Sequence, residues 1–114
     1  MRRWIAKGLT GLVFLVAMNA MPVSGQQPGG GREFTVTMAN MVFGRIPAQA
    51  KVGDRIIWVN DDTVEHTATA RDGNFDVRLQ PGKRARTVLT KAGNLAVYCI
   101  YHPMMRATVR VVAS

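Results

Sequence analysis

From Glu33 onward the chain alternates between apolar and polar positions, and no window carries a convincing helical period. Phe34, Val36 and Met38 share one face of a segment whose other face carries Glu33, Thr35 and Thr37. Period-two patterning of this kind is what a half-buried strand requires. Arg55–Asn60 (RIIWVN) is a β-branched and aromatic run with Ile56 and Trp58 on the core side. His66–Ala70 and Asn74–Arg78 read as further strands on either side of the turn Arg71-Asp72-Gly73. In Arg84–Thr90, Ala85, Thr87 and Leu89 alternate with Arg84, Arg86 and Val88. Leu95–Cys99 follows the turn Ala92-Gly93-Asn94, and Arg106–Val112 places Ala107, Val109 and Val111 inward. Turn signals at Lys51–Asp54, Asp61–Thr63 and Pro81-Gly82 separate the runs. Short strands at regular spacing predict an all-β sandwich or barrel, with one domain over 33–114.

The segment before Glu33 follows different rules. Arg2, Arg3 and Lys7 precede an apolar stretch centred on Leu12–Ala17, and a small-residue end at Val23-Ser24-Gly25 follows. This order reads as a cleaved secretory signal over 1–25, and Arg2-Arg3 loosely resembles a twin-arginine export signal. A membrane anchor would need about 20 apolar residues, and Thr10, Asn19 and Pro22 interrupt a stretch already too short. Residues 26–32 (QQPGGGR) read as a flexible leader. The mature form is therefore expected in the periplasm, free of the membrane and monomeric.

Composition changes its meaning once that segment is set aside. The 114 residues hold 15 Lys and Arg against 7 Asp and Glu, a net charge of +8. Cleavage after residue 25 removes three bases and no acids, leaving +5. Arg55, Arg78, Arg84, Arg86 and Arg110 are scattered over several outward positions, without the aromatic interleaving of a single-strand groove. The charge therefore points to acidic protein partners, not nucleic acid. Three of the seven Met (Met1, Met18, Met21) also leave, which argues against a methionine-rich copper-handling protein. The single Cys excludes an intramolecular disulfide framework and Cys-rich zinc modules. A domain of this size without a disulfide gains from a bound metal.

The chemistry concentrates in Tyr98-Cys99-Ile100-Tyr101-His102-Pro103-Met104-Met105, a loop between two expected strands that contains Cys-x-x-His-x-x-Met. The other histidine, His66, opens a strand much earlier in the chain. Taken singly, a buried Cys is an inert hydrophobe and a lone His or Met an ordinary structural residue. Together, two imidazoles, one thiolate and one thioether make the donor set of a blue-copper site, in which both copper valences find suitable ligands. Zinc accepts Cys and two His as well, but its catalysis calls for a general base. The 99–105 loop offers no carboxylate, and Glu65 points to the opposite strand face from His66.

These residues, with Lys51-Val-Gly-Asp54, Trp58-Val-Asn60, Glu65-His66-Thr67, Pro81-Gly82 and Ala92-Gly93-Asn94 in order, resemble the cupredoxins, the type 1 blue-copper proteins. The likeness is greatest to the amicyanins of the plastocyanin/azurin-like group and covers about Phe34 to Val112. It implies a Greek-key β-sandwich with one copper ion at one end, held equatorially by His66, Cys99 and His102. Met105 is implied as axial ligand, with Met104 as the rival. It further implies a non-enzymatic one-electron carrier with His102 as surface gateway. Around it an apolar docking patch of Pro103, Met104 and Phe43 is expected, with a basic rim of Arg106, Arg45 and Arg71 for acidic redox partners. A copper-binding or delivery protein is the alternative. The sequence departs from the family at Thr67 and Ile100, where many members carry an Asn after the first His ligand and a Ser or Thr after the Cys. Ile100 has no polar side chain, so the hydrogen bond between the two ligand loops has to be replaced by packing or backbone, with the Thr67 N–H available to the Cys99 sulfur.

Overall fold

A computed structural model describes residues 31–114. The expected signal at 1–25 and most of the leader at 26–32 lie outside the described residues. Among the described residues nine strands form: β1 Glu33–Ala39, β2 Val42–Phe43, β3 Ala50–Lys51, β4 Arg55–Asn60, β5 His66–Ala70, β6 Asp76–Leu79, β7 Arg84–Val88, β8 Gly93–Tyr98 and β9 Arg106–Val112. They build one sheet in the order β2-β1-β4-β7 and a second in the order β3-β9-β8-β5-β6. The architecture is all-β, two sheets face to face, as the alternation predicts. β4, β5 and β9 keep their expected bounds. β8 starts earlier, because Gly93 is already paired with Val111. The two-residue strands β2 and β3 carry too little alternation to be read from sequence.

β1 and β4 pair in parallel, so the faces chosen by their side chains coincide. Val36 and Met38 from β1 and Ile56 and Trp58 from β4 are fully buried. The second sheet answers with Ala68, Leu79, Val97, Val109 and Val111, and Leu89 closes the core beyond β7. Trp58 is its centre: Phe43 meets it edge-on with ring centroids 5.7 Å apart, and Phe75 lies at 6.0 Å. Its indole N–H donates to Thr87 Oγ1 at 2.9 Å, which satisfies the one polar atom such a ring brings inside. Phe43, expected from the resemblance at the docking patch, is partly buried with its ring against Trp58.

Two buried polar residues fix the loops. Asp54 accepts the N–H groups of Lys51 at 2.8 Å and of Arg32 at 2.7 Å, fastening Arg32 to the β3–β4 turn. Asn60, at the end of β4, donates to the carbonyls of Val64 and Leu79 at 2.8 and 2.9 Å and accepts the Asp62 N–H at 2.9 Å. Two of the three bonds of the Asn60 amide serve the β4–β5 connection, which delivers His66, and the third ties it to the end of β6.

Candidate metal centre

His66 opens β5 with its side chain wholly buried, and Cys99 follows directly on β8, equally buried. Between Cys99 and Met105 the chain makes two successive turns. The His102 N–H donates to the Cys99 carbonyl at 3.3 Å, and the Met105 N–H to the His102 carbonyl at 2.8 Å. Pro103 occupies the second position of the latter turn, where its fixed φ is pre-set. The Cys99 N–H bonds the Met105 carbonyl at 3.0 Å, and Tyr98 pairs with Arg106. The loop is thus the closed end of the β8–β9 hairpin, with little freedom left in its backbone.

This architecture brings His66, Cys99 and His102 together, each offering one donor atom, all within 4.8 Å of one another. Cys99 Sγ lies 3.8 Å from His66 Nδ1 and 3.7 Å from His102 Nδ1. With metal–sulfur and metal–nitrogen bonds of about 2.3 and 2.0–2.1 Å, a 120° angle between them gives a sulfur–nitrogen edge of about 3.8 Å, whereas a tetrahedral angle gives about 3.5 Å. The observed spacings leave room for one ion that His66, Cys99 and His102 would hold together. Met105 is buried in the same loop, while Met104 is 93% exposed.

The hydrogen bonds around the donors orient them. His66 Nε2 meets Asp62 Oδ2 at 2.6 Å. A proton held there leaves Nδ1 bare and aimed at the sulfur, the arrangement in which an outer carboxylate fixes a ligand tautomer. Asp62 is in turn held by the N–H groups of Asn40 and Met41, at 2.7 and 3.0 Å. The Met41 N–H and then His66 draw its carboxyl below the ordinary 3.8. Burial pushes the His66 imidazole toward its neutral form, but Asp62 and Cys99 outweigh that and raise its pKa above 6.5. Burial likewise pushes the Cys99 thiol up, yet the Thr67 N–H, His102, His66 and the Tyr101 N–H together bring it down from 9.0 to about 6. A lone buried thiol poised as a thiolate between two imidazoles, with no carboxylate among the donors, fits a soft-to-borderline metal such as copper.

The expected backbone bond from the Thr67 N–H to Cys99 Sγ is present at 3.4 Å. The link between the ligand loops is made differently from the expectation, for the Thr67 side chain takes part. Its Oγ1 accepts the Ile100 N–H at 2.9 Å.

One edge of the centre reaches the surface. Met41, Tyr101, His102, Pro103, Met104 and Met105 line a concavity of about 410 Å³. Of the residues expected to form a docking patch, Pro103 and Met104 line this concavity and Phe43 does not, while Met41 and Tyr101 also line it. Arg106 is exposed directly after Met105. Arg45 instead lines a separate groove with Arg32 and Phe34, and Arg71 lies 4.2 Å over the Tyr98 ring. Arg78, unassigned from sequence, bonds the Tyr101 hydroxyl at 3.2 Å. Asp62 was also missed; asking what satisfies the far nitrogen of a buried His, with an Asp four residues earlier in a turn, would have found it.

The methylamine utilization protein MauL of Methylorubrum extorquens is 36% identical over 90 residues, covering 75% of this chain and 79% of that protein. Among solved structures, a purple cupredoxin from Nitrosopumilus maritimus superposes with a TM-score of 0.61 at 24% identity, over 69% of this chain and 99% of its own. The chain is an amicyanin-like cupredoxin. The Cu(I) form of an amicyanin mutant matches this cupredoxin with a TM-score of 0.60 at 25% identity, over 72% of this chain and 83% of the amicyanin. No protein-family model matches the chain. Copper is the cofactor of this cupredoxin, and His66, Cys99 and His102 form a candidate site for one ion.

Proposed function

We propose that this cupredoxin is an exported, periplasmic one-electron carrier, in which His66, Cys99, His102 and Met105 would hold the copper. The observation that carries the reading is Cys99 Sγ set 3.7–3.8 Å from both Nδ1 atoms, with one of the two imidazoles opening into an apolar concavity. A bound copper ion supplies a one-electron Cu(I)/Cu(II) couple. The residues do the rest. Burial of Cys99, His66 and Met105 keeps water from the donors, and the two turns of the 99–105 loop would hold those residues in place around a bound ion. His102 is only half-buried and gives the path to a partner, while Met41, Pro103, Met104 and Tyr101 provide the apolar contact. Arg106 and Arg78 form a basic rim that steers an acidic redox protein, raising the association rate more than the affinity. The kinship with MauL supports a place in an electron-transfer system for methylamine utilization.

Adding Cu(II) to the purified mature protein tests the assignment. A strong blue to violet colour that bleaches with ascorbate, returns on oxidation and is lost in Cys99→Ser supports the carrier. A colourless, tightly held Cu(I) that exchanges readily sinks it in favour of copper delivery. Arg106→Glu should slow association with an acidic acceptor and flatten its salt dependence; unchanged rates remove Arg106 from the rim.

A further inference from the structure

Thr67 touches both sides of the candidate thiolate ligand. Its N–H reaches Cys99 Sγ at 3.4 Å, and its Oγ1 accepts the N–H of Ile100, the residue after Cys99, at 2.9 Å. The side chain is fully buried although it stands on the face of β5 opposite to core residues Ala68 and Ala70. Two residues on, the same face carries Thr69, whose Oγ1 lies 2.9 Å from Thr67 Oγ1. Thr69 is the cross-strand partner of Asp76, and its hydroxyl lies 2.9 Å from Asp76 Oδ1.

The direction of this chain follows from counting protons. A carboxylate only accepts, so Thr69 spends its single hydroxyl proton on Asp76. Thr69 Oγ1 then has lone pairs alone to offer Thr67, which must spend its own proton on Thr69. What Thr67 turns toward Ile100 is a lone pair, the one thing a peptide N–H requires. Each bond polarises the next, so a carboxylate at the sheet surface strengthens acceptance at a buried oxygen beside the cysteine.

We propose that Thr67 is the positioning residue of the cysteine loop, and that the directed chain Ile100–Thr67–Thr69–Asp76 holds it in that role. The chain replaces the side-chain link that Ile100 cannot make. By clamping the Cys99–Ile100 peptide while its own N–H faces the sulfur, Thr67 fixes where the sulfur points. As far as it concerns metal properties, the inference rests on the copper assignment above.

Thr67→Val removes the hydroxyl and keeps both shape and backbone N–H, so it isolates the clamp. Two readouts separate the clamp from the metal. In metal-free protein, amide hydrogen exchange at Ile100 should accelerate roughly tenfold, the loss expected for one buried hydrogen bond. In copper-loaded protein, the thiolate-to-copper absorption band and the reduction potential should shift, and Thr67→Ser should restore both. Thr69→Val and Asp76→Asn, which touch neither Cys99 nor Ile100, should speed Ile100 exchange and move the band in the same direction by a smaller factor. These two variants carry the test if Thr67→Val does not fold. Wild-type exchange and an unmoved band in Thr67→Val overturn the proposal. Wild-type behaviour in both Thr69→Val and Asp76→Asn overturns the chain beyond Thr67. A wild-type protein that binds no copper, yet shows the graded Ile100 exchange, overturns the copper assignment and leaves the clamp standing.

Discussion

Asp62 serves three partners with one carboxylate: the Asn40 and Met41 amides and the far nitrogen of His66. Asp62→Ala strands a buried imidazole N–H and two turn amides, so metal-free protein should lose roughly 1–3 kcal/mol near neutrality. The pH dependence follows from two shifts of opposite sign. Asp62 is lowered below 3.8, so its share of stability is present above that value and lost as pH falls through the lower folded-state pKa. His66 is raised above 6.5, so its share is full below 6.5 and lost as pH rises through the higher folded-state pKa. Urea unfolding of wild type and Asp62→Ala should show the widest gap between those two values and a closing gap on either side. A gap independent of pH would mean that Asp62 acts only on the turn. Cys99 gives a second residue-level expectation: in metal-free protein its thiolate absorbance should titrate with a midpoint about pH 6. A midpoint near the ordinary 9.0 would show that the imidazoles and the Thr67 N–H do not face the sulfur in solution.

At the scale of elements, the tight β1–β2 hairpin matters more than its length suggests. Ala39 pairs with Val42, so Asn40 and Met41 alone form the loop between the strands. Both lie at positive φ in the left-handed region, which marks a type I′ turn. Asn suits that region and Met does not, at a cost of about 1–2 kcal/mol. Met41 is 40% exposed and packs little, so the strain is not offset by burial in its own core. It does line the concavity beside His102. Met41→Gly should therefore stabilise the fold by roughly 0.5–1 kcal/mol, the relieved strain less the extra chain entropy of glycine. Denaturant unfolding checks this, and a destabilised variant would show that Met41 holds the turn by packing. The hairpin also shows what alternation hides. β4 and β9 were legible because each sets a buried face against a more exposed one over six or more residues, whereas β5 is buried on both faces and was bounded by its flanking turn signals. β2 has two residues and exists because of the turn, whose second residue gives no sequence hint of positive φ. The contact of Phe43 with Trp58 was hidden for the same reason: without β2, nothing assigned its ring to the core.

For the whole molecule, the donor cluster was readable from scarcity, since one Cys and two His leave few ways to build a soft site. What was not readable is what joins distant segments: Asp62 to the β1–β2 turn, Thr67 to Ile100, Arg78 to Tyr101. Those bonds depend on three-dimensional register, which composition and spacing do not encode. The same bonds determine how the molecule answers to its metal. The donors come from β5 and the β8–β9 end, so one ion ties the start of one strand to the closing loop of a hairpin in the same sheet. A small domain without disulfides has a modest core, and a ligand that binds only the folded chain adds RT ln(1 + [L]/Kd) to its stability. Free copper at a thousandfold excess over Kd should thus add about 4 kcal/mol, less whatever the unfolded Cys and His retain. Thermal unfolding with copper, and again after chelation, should show this as a rise in Tm that grows with free copper and reverses on its removal. Cys99→Ser should lose most of the rise, and Met104→Ala none of it, since Met104 is 93% exposed. An equal rise in Cys99→Ser would place the stabilising ion elsewhere on the protein.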